Sequence, residues 1–197
     1  MLPFSQSADN NKKDICDRLC GILKQSQHLL EIGSGTAQHA VYMAPRLPHL
    51  TWHTSDLAAN IETVRARLDQ EGPENVKAPL ALDVSSHPWP LPACDAIYSA
   101  NTVHIMSWDH VEQLFIGAGQ VLVAGGHLCL YGPYKYKGEF TTPSNQRFDR
   151  WLKQEDEASG IRDFEAVDNL AQNNGLTLQS DTDMPANNQL LVWQRQL

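Results

Sequence analysis

Long apolar segments are missing from this sequence of 197 residues. No stretch approaches the roughly 20 apolar residues that a membrane-spanning helix needs, and the first residues, Met1 to Ser5, lack the basic flank and apolar run of a secretory signal. We therefore expect a cytoplasmic protein. The apolar fraction of 42% predicts one ordinary domain, residues 1–197, with a core of its own.

Cysteine and basic residues are also scarce. The four cysteines include no Cys-x-x-Cys pair, so neither a disulfide framework nor a zinc site is expected, and we predict no metal site. Lysine and arginine number 15 against 23 acidic residues, and the formal net charge is -8. Such a chain attracts phosphate backbones and anionic lipids poorly. We therefore expect a small-molecule or protein partner, with no nucleic acid and no membrane; the oligomeric state stays open.

Helical and strand-like patterns alternate along the chain, which predicts an α/β fold with a parallel sheet covered by helices on both faces. Helices are expected at residues 9–24, 36–44, 59–71, 108–122, 146–155 and 164–173. Strands are expected at residues 27–32, 50–55, 78–82, 95–99, 127–131, 176–180 and 189–194. The last two strands are short enough to form a hairpin at the sheet edge. Segment 132–145 has the composition of a binding loop.

The most informative motif follows the first predicted strand. Glu31, Gly33 and Gly35 form the pattern Glu-x-Gly-x-Gly-x-Ala, which leads directly into a helix. Glycines let the backbone turn tightly and approach a ligand, and the free N–H groups of the next helix face it. A dinucleotide fingerprint needs a third glycine where Gln38 stands, and a carboxylate facing the loop repels a diphosphate. The motif therefore favours a ligand with an ammonium or sulfonium group over the cofactor of a nucleotide-dependent dehydrogenase.

In this form the sequence resembles the class I S-adenosylmethionine-dependent methyltransferases, whose first motif has an acid and two glycines at the end of the first strand. The resemblance implies a Rossmann-like, seven-stranded and mainly parallel sheet, and S-adenosyl-L-methionine as cofactor. The chain departs from the family pattern at Ala37, where a third glycine is usual. The resemblance implies that Asp56 binds both ribose hydroxyls and that Asp83 meets the adenine amino group. A helix cap is the alternative role for these acids.

Other positions are implied to approach the methionine part of the cofactor. Asn101 and His104 follow the fourth predicted strand, at the carboxyl edge where open α/β sheets bind ligands. His104 is the first candidate for a general base, and the alternative is a partly buried ring that only hydrogen-bonds the loop. Tyr134 is the second candidate, with packing as its alternative role. The resemblance also implies that the first helix closes over the cofactor, with Asn11 or one of its neighbours near the cofactor carboxylate.

A closer resemblance extends over the whole chain. The sequence is similar to an uncharacterised group of about this length that includes methyltransferase-like protein 26, and the shared segments include Tyr131–Tyr134, Gly160–Asp163 and Met184–Asn188. We therefore predict a methyltransferase for an unidentified, small-molecule acceptor, although a peptide acceptor stays open. The alternative is a non-catalytic module that binds S-adenosylmethionine or its demethylated product, S-adenosylhomocysteine.

Polar residues cluster in the loops that follow the fifth predicted strand. They lie at residues 143–145, 162–163 and 187–188. The variable substrate side of this fold lies there, so these residues either line one acceptor pocket or serve only as turns.

Overall fold

The structure, a computed structural model, describes residues 2–91 and 93–196 and contains a seven-stranded sheet with helices against both faces. The strands of this sheet and of a smaller one are β1 (His28–Ile32), β2 (Thr51–Asp56), β3 (Val76–Ala81), β4 (Cys94–Ala100), β5 (Leu122–Gly132), β6 (Tyr134–Tyr136), β7 (Glu139–Phe140), β8 (Arg162–Asp163), β9 (Leu176–Met184) and β10 (Asn188–Arg195). The large sheet has the order β3-β2-β1-β4-β5-β10-β9, in which the first five strands are parallel and β10 is antiparallel to both neighbours. The predicted fold class, with an antiparallel C-terminal hairpin at the sheet edge, is confirmed.

Six helices in the described ranges follow the predicted order. They are α1 (Gln6–Ile22), α2 (Gln38–Met43), α3 (Ile61–Glu71), α4 (Trp108–Val121), α5 (Pro143–Glu155) and α6 (Phe164–Asn173). α1 begins at Gln6 rather than at residue 9, because Ser5 caps it by accepting a hydrogen bond from the N–H of Ala8 at 3.2 Å. The first turn is polar, so the apolar periodicity does not reveal it. None of these helices is long and apolar enough to cross a membrane.

Segment 132–145, expected as a loop, contains a β-hairpin instead. Strands β6 and β7 pair with each other, and β6 pairs with β8, giving a three-stranded sheet. Lys137 and Gly138 connect the hairpin with φ angles of 53° and 81°, the left-handed geometry of a type I′ turn. Lys-Gly is not among the pairs that usually announce this turn, so the sequence pattern hid it. β5 also begins at Leu122, ahead of the strand that we expected at residues 127–131.

Side chains alternate between the two faces of the large sheet and build two hydrophobic clusters. Leu29 belongs to the cluster that includes residues of α1 and α2, and its neighbour Leu30 to the cluster that includes residues of α4 and α6. In the second cluster, the rings of Phe115 and Trp193 meet edge-on with centroids 5.8 Å apart. This packing brings the carboxyl ends of β1 to β5 to one edge of the sheet, where open α/β sheets bind ligands.

Candidate functional site

A cavity of about 470 Å³ opens at the carboxyl ends of β1 to β4. Four predicted site residues line it, namely Gly33, Asp56, Asp83 and Asn101, and five do not, namely Asn11, Glu31, Gly35, His104 and Tyr134. The carboxylates in its wall are those of Asp56, Asp83 and Asp156, and no lysine or arginine of the described residues lines it. The wall therefore disfavours a phosphate group and favours a ligand with positive charge.

The turn between β1 and α2 forms the floor of this cavity. Gly33 has a φ of 71°, and a Cβ atom there would lie 2.9 Å from Thr102 Cγ2, so this position requires glycine for two reasons. Gly35 and Ala37 both have a φ of 57°. A left-handed alanine costs about 1–2 kcal/mol. The turn therefore keeps three left-handed residues with only two glycines, and α2 begins at Gln38 rather than at residue 36.

Asp56, at the end of β2, connects the turn between β1 and α2 with the loop that follows β2. Its Oδ2 accepts a hydrogen bond from the Gly35 N–H at 2.7 Å, and its Oδ1 accepts bonds from the Leu57 N–H and Asn60 Nδ2, both at 2.8 Å. A carboxylate has about four acceptor positions, so it can still accept a bond from a ligand hydroxyl. Asp56 thus acts partly as the local cap that we gave as its alternative role, while it also lines the cavity.

Asp83 follows β3 beside an apolar part of the wall. Its Oδ1 accepts bonds from the hydroxyl and the N–H of Ser85, at 2.7 and 2.9 Å, and these bonds lower the pKa of the Asp83 carboxyl below its ordinary value. Leu82 and Val84 are buried and line the same cavity, and Leu57 faces it from the next loop. A fixed carboxylate beside three apolar side chains suits a flat ring that carries an amino group.

Glu31 lies behind the glycine turn rather than facing the cavity. Its carboxylate is 2% exposed, and its Oε2 accepts bonds from Ser34 Oγ at 2.9 Å and Trp52 Nε1 at 3.0 Å. Burial raises the pKa of Glu31 to about 7, against the opposing effect of these two bonds. Ser34 Oγ also accepts a bond from the Ser55 N–H at 3.2 Å. Glu31 therefore holds the residue between the two glycines from below.

Asn11, which is half-buried, forms a polar relay of hydrogen bonds with the buried residues His39 and Tyr98 on the α1 side of the sheet. Its Oδ1 is 2.8 Å from His39 Nε2, and His39 Nδ1 is 3.2 Å from the Tyr98 hydroxyl. Burial, with a smaller effect of Lys12, lowers the pKa of His39 to about 4, so the ring is neutral at pH 7. Its Nε2–H then donates to Asn11 while Nδ1 accepts from Tyr98. No sequence pattern pointed to this relay, because its members lie far apart in the chain.

Asn101 and His104 lie in the loop after β4 and point to different places. Asn101 has a φ of 58°, donates its N–H to the Tyr131 carbonyl at 2.8 Å and lines the cavity. The His104 ring is 5% exposed and meets the Phe148 ring edge-on with centroids 5.3 Å apart. Burial and then Arg162 lower the pKa of His104 to about 4, so the ring is neutral at pH 7.

Tyr134 lies away from the cavity. It is 2% exposed and packs in the same hydrophobic cluster as residues of α4 and α6. Its hydroxyl has no hydrogen-bond partner among the described residues, and burial followed by the nearby Asp181 raises the pKa of the phenol. Its position results from the unexpected hairpin, which places β6 next to β8 and the start of α6.

The polar loops expected at an acceptor pocket mainly bond to one another. Asn145 Nδ2 donates to the Asn187 carbonyl at 3.0 Å, and Asn187 Nδ2 donates to Ser144 Oγ at 3.2 Å. The cavity wall also holds an imidazole and a carboxylate that were not among the predicted site residues, those of His110 and Asp156. The His110 Nδ1 lies 2.6 Å from Ser107 Oγ, and Asp156 reaches the wall from the end of α5. Nothing in the local sequence of Asp156 indicates that position.

Comparison with known proteins gives a family and a fold. The family model described as a protein of unknown function, DUF938, matches residues 2–195. The chain belongs to this family. An O-methyltransferase family protein from Burkholderia thailandensis is similar in structure to this DUF938 protein, with a TM-score of 0.82 and 14% identity over 94% of this chain and 56% of that one.

Two further solved structures share the fold. Human N-acetylserotonin methyltransferase, in complex with S-adenosylmethionine, has a TM-score of 0.81 and 14% identity over 98% of this chain and 53% of that one. An O-methyltransferase family 2 protein from Planctomyces limnophilus, in complex with apigenin, has a TM-score of 0.78 and 16% identity over 96% of this chain and 60% of that one. The DUF938 chain thus spans little more than half the length of these proteins.

Proposed function

We propose that this DUF938 protein is an S-adenosylmethionine-dependent methyltransferase that acts on a small-molecule acceptor. The observation that carries the proposal is the cavity beside the glycine turn, whose wall holds the carboxylates of Asp56, Asp83 and Asp156 without a lysine or arginine from the described residues. This charge suits a sulfonium and an ammonium group and opposes a diphosphate. Methyltransferases that share the fold have been solved with S-adenosylmethionine and with apigenin, a small molecule, which supports both parts of the proposal.

The residues of the wall fit an adenosyl group. Asp56 lines the cavity, is held by three donors and has about one acceptor position left for a ribose hydroxyl. We assign to Asp83 the amino group of an adenine ring that rests on Leu82 and Val84, because all three residues line the cavity. Gly33 lines the cavity with backbone alone, which lets a ligand approach closely. When bound, S-adenosylmethionine supplies an electrophilic methyl group, so the protein needs mainly to align the acceptor and exclude water.

We assign the role of general base to His104 and leave Tyr134 without a chemical role. His104 lies two residues after Thr102, which lines the cavity. The His104 ring is unprotonated at pH 7 and makes no hydrogen bond with another described side chain. A neutral imidazole nitrogen can accept a proton from an acceptor hydroxyl or amine. The Tyr134 hydroxyl is enclosed in the core cluster near Asp181, where a methyl acceptor bound in the cavity does not reach it.

Titration calorimetry of the full-length protein with S-adenosylhomocysteine and with NAD tests the proposal. We expect heat with S-adenosylhomocysteine and none with NAD. Asp56→Asn should weaken S-adenosylhomocysteine binding about tenfold or more, because a hydrogen bond to a charged group is worth about 1.5–3 kcal/mol. The matched control is Asp69→Asn at an exposed position of α3, which should leave the affinity unchanged. Equal affinity in the Asp56 variant, or preference for NAD, would contradict the proposal.

A non-catalytic binding module is the second candidate, and the burial of His104 outside the cavity favours it. Both candidates bind the cofactor, but only the enzyme transfers its methyl group, so methyl transfer separates the two candidates. Labelled methyl transferred to the small-molecule fraction of a cell extract, with loss of transfer in His104→Ala, supports the enzyme. Tight binding without transfer to any fraction supports the module.

A close relation to the group that includes methyltransferase-like protein 26 is part of this proposal. The sequence similarity of segments Tyr131–Tyr134 and Gly160–Asp163 supports it. Both segments form hydrogen bonds with the loop that forms one wall of the cavity. A single domain over residues 1–197 and a cytoplasmic location stay predictions from the sequence.

A further inference from the structure

The loop between β4 and α4, residues 101–107, forms one wall of the cavity. A second segment donates hydrogen bonds to four consecutive carbonyl oxygens of this loop. We call residues 156–162, from the end of α5 to the first residue of β8, the clamp segment. Its bonds to the loop are Arg162 Nε to Val103 O at 3.3 Å, Gly160 N to His104 O at 2.8 Å, Ser159 Oγ to Ile105 O at 2.6 Å, and Arg162 Nη2 to Met106 O. Every carbonyl from residue 103 to residue 106 therefore has a partner in the clamp segment.

These bonds matter because this part of the loop belongs to neither a helix nor a strand. Val103 and His104 are buried, and a buried carbonyl without a partner is costly. The loop can therefore keep its buried path only while the clamp segment supplies donors.

The clamp segment is itself anchored to α5. Asp149, which is 3% exposed, accepts a bond from the Ile161 N–H at 2.8 Å and pairs with Lys153 at 2.8 Å. Arg162 Nη2 also donates to the Ala158 carbonyl at 2.8 Å, within the clamp segment. Asp156, the first residue of the segment, lines the cavity. One guanidinium group thus bonds to both the loop wall and the segment that carries Asp156.

We infer that Arg162 is a positioning residue, whose guanidinium fixes the spacing between the 101–107 loop and the clamp segment and thereby sets the affinity for the cofactor. This inference rests on the proposed function. From the sequence, Arg162 was expected either to line an acceptor pocket or to serve only in a turn, whereas in the structure its donors bind backbone carbonyls. The planar fork of arginine reaches carbonyls on two segments at once, and a lysine ammonium on its flexible stem does not reproduce that geometry.

The test is calorimetric titration of the full-length protein with S-adenosylhomocysteine. We expect Arg162→Ala and Arg162→Lys to raise the dissociation constant about tenfold. Added ethylguanidinium should restore the affinity of Arg162→Ala, whereas ethylammonium, which has the same charge without the fork, should not. The matched control is Arg195→Ala, because Arg195 also donates to a carbonyl, that of Asn174 at 2.7 Å, but lies on β10 and away from the cavity.

Hydrogen exchange separates this role from a general loss of stability. In Arg162→Ala, exchange should accelerate at residues 101–107 and stay at the wild-type rate in β1 and β2. Wild-type affinity in folded Arg162→Ala, or equal rescue by ethylammonium, overturns the inference. If Arg162→Ala does not fold, Arg162→Lys decides: about tenfold weaker binding supports the inference and unchanged affinity overturns it. If the wild-type protein does not bind S-adenosylhomocysteine, the proposed function fails, and the inference fails with it.

Discussion

Replacing Glu31 by glutamine should change how the stability of the protein depends on pH. Glutamine keeps an oxygen that can accept the bonds from Ser34 and Trp52, but it does not titrate. In the folded protein, burial raises the pKa of Glu31 to about 7 from an ordinary 4.5. Because the folded state holds this proton more tightly than the unfolded chain, the resulting stability is fully present below pH 4.5 and is lost as the pH rises towards 7.

The magnitude follows from the two pKa values. The difference between 7 and 4.5, at about 1.36 kcal/mol per pH unit, amounts to roughly 3 kcal/mol. Glu31→Gln lacks this term at every pH. Its free energy of unfolding relative to that of the wild type should therefore rise by roughly 3 kcal/mol between pH 4.5 and pH 7.5.

Urea unfolding of both proteins at these two pH values measures the change. Glu62→Gln is the matched control, because the Glu62 side chain is 83% exposed and this substitution should give nearly the same difference from wild type at both pH values. A Glu31→Gln difference that stays constant with pH would show that the carboxylate ionises normally in the folded protein. The reasoning from its burial would then be refuted.

Two further substitutions have definite expected outcomes. Gly33→Ala should lower the free energy of unfolding by about 1–3 kcal/mol and weaken S-adenosylhomocysteine binding, since the new Cβ meets Thr102 at a left-handed φ. Calorimetry and urea unfolding measure both effects, and Gly21→Ala, in a helix with open space around it, should leave binding unchanged. Arg162→Gln should raise the pKa of His104, because a positive charge that lowers it is removed. NMR titration of the imidazole measures this pKa, and an unchanged or lower value would contradict the expectation.

The sequence predicted the fold and the strand-end positions well because both follow from local periodicity. Asp56 and Asn101 line the cavity since the carboxyl ends of parallel strands meet at one edge. The orientation of Glu31 was also available in principle. Side chains alternate along a strand, so Glu31 shares a face with Leu29, which packs with α1 and α2 residues, and not with Ile32.

Other features depend on contacts between distant parts of the chain, which local patterns do not contain. Tyr134 is removed from the cavity by a hairpin whose turn has an unusual sequence. His104 is turned away from the cavity by Phe148, which comes from a helix more than 40 residues later. Asp156 reaches the wall only because the clamp segment folds back onto the loop after β4. Each outcome is decided by tertiary packing.

The arrangement at the sheet edge separates the proposed cofactor site from the residue proposed as general base. Within the described residues, the cavity wall comes from the carboxyl ends of β1 to β4 and the loops after them, from His110 at the start of α4 and from Asp156, and none of it comes from β5 or β10. On that other side, the His104 ring lies near Gly132 and against Phe148. A cofactor can therefore occupy the cavity while His104 stays buried. If His104 is the base, its buried ring must become accessible to an acceptor, a change that cofactor binding alone does not require.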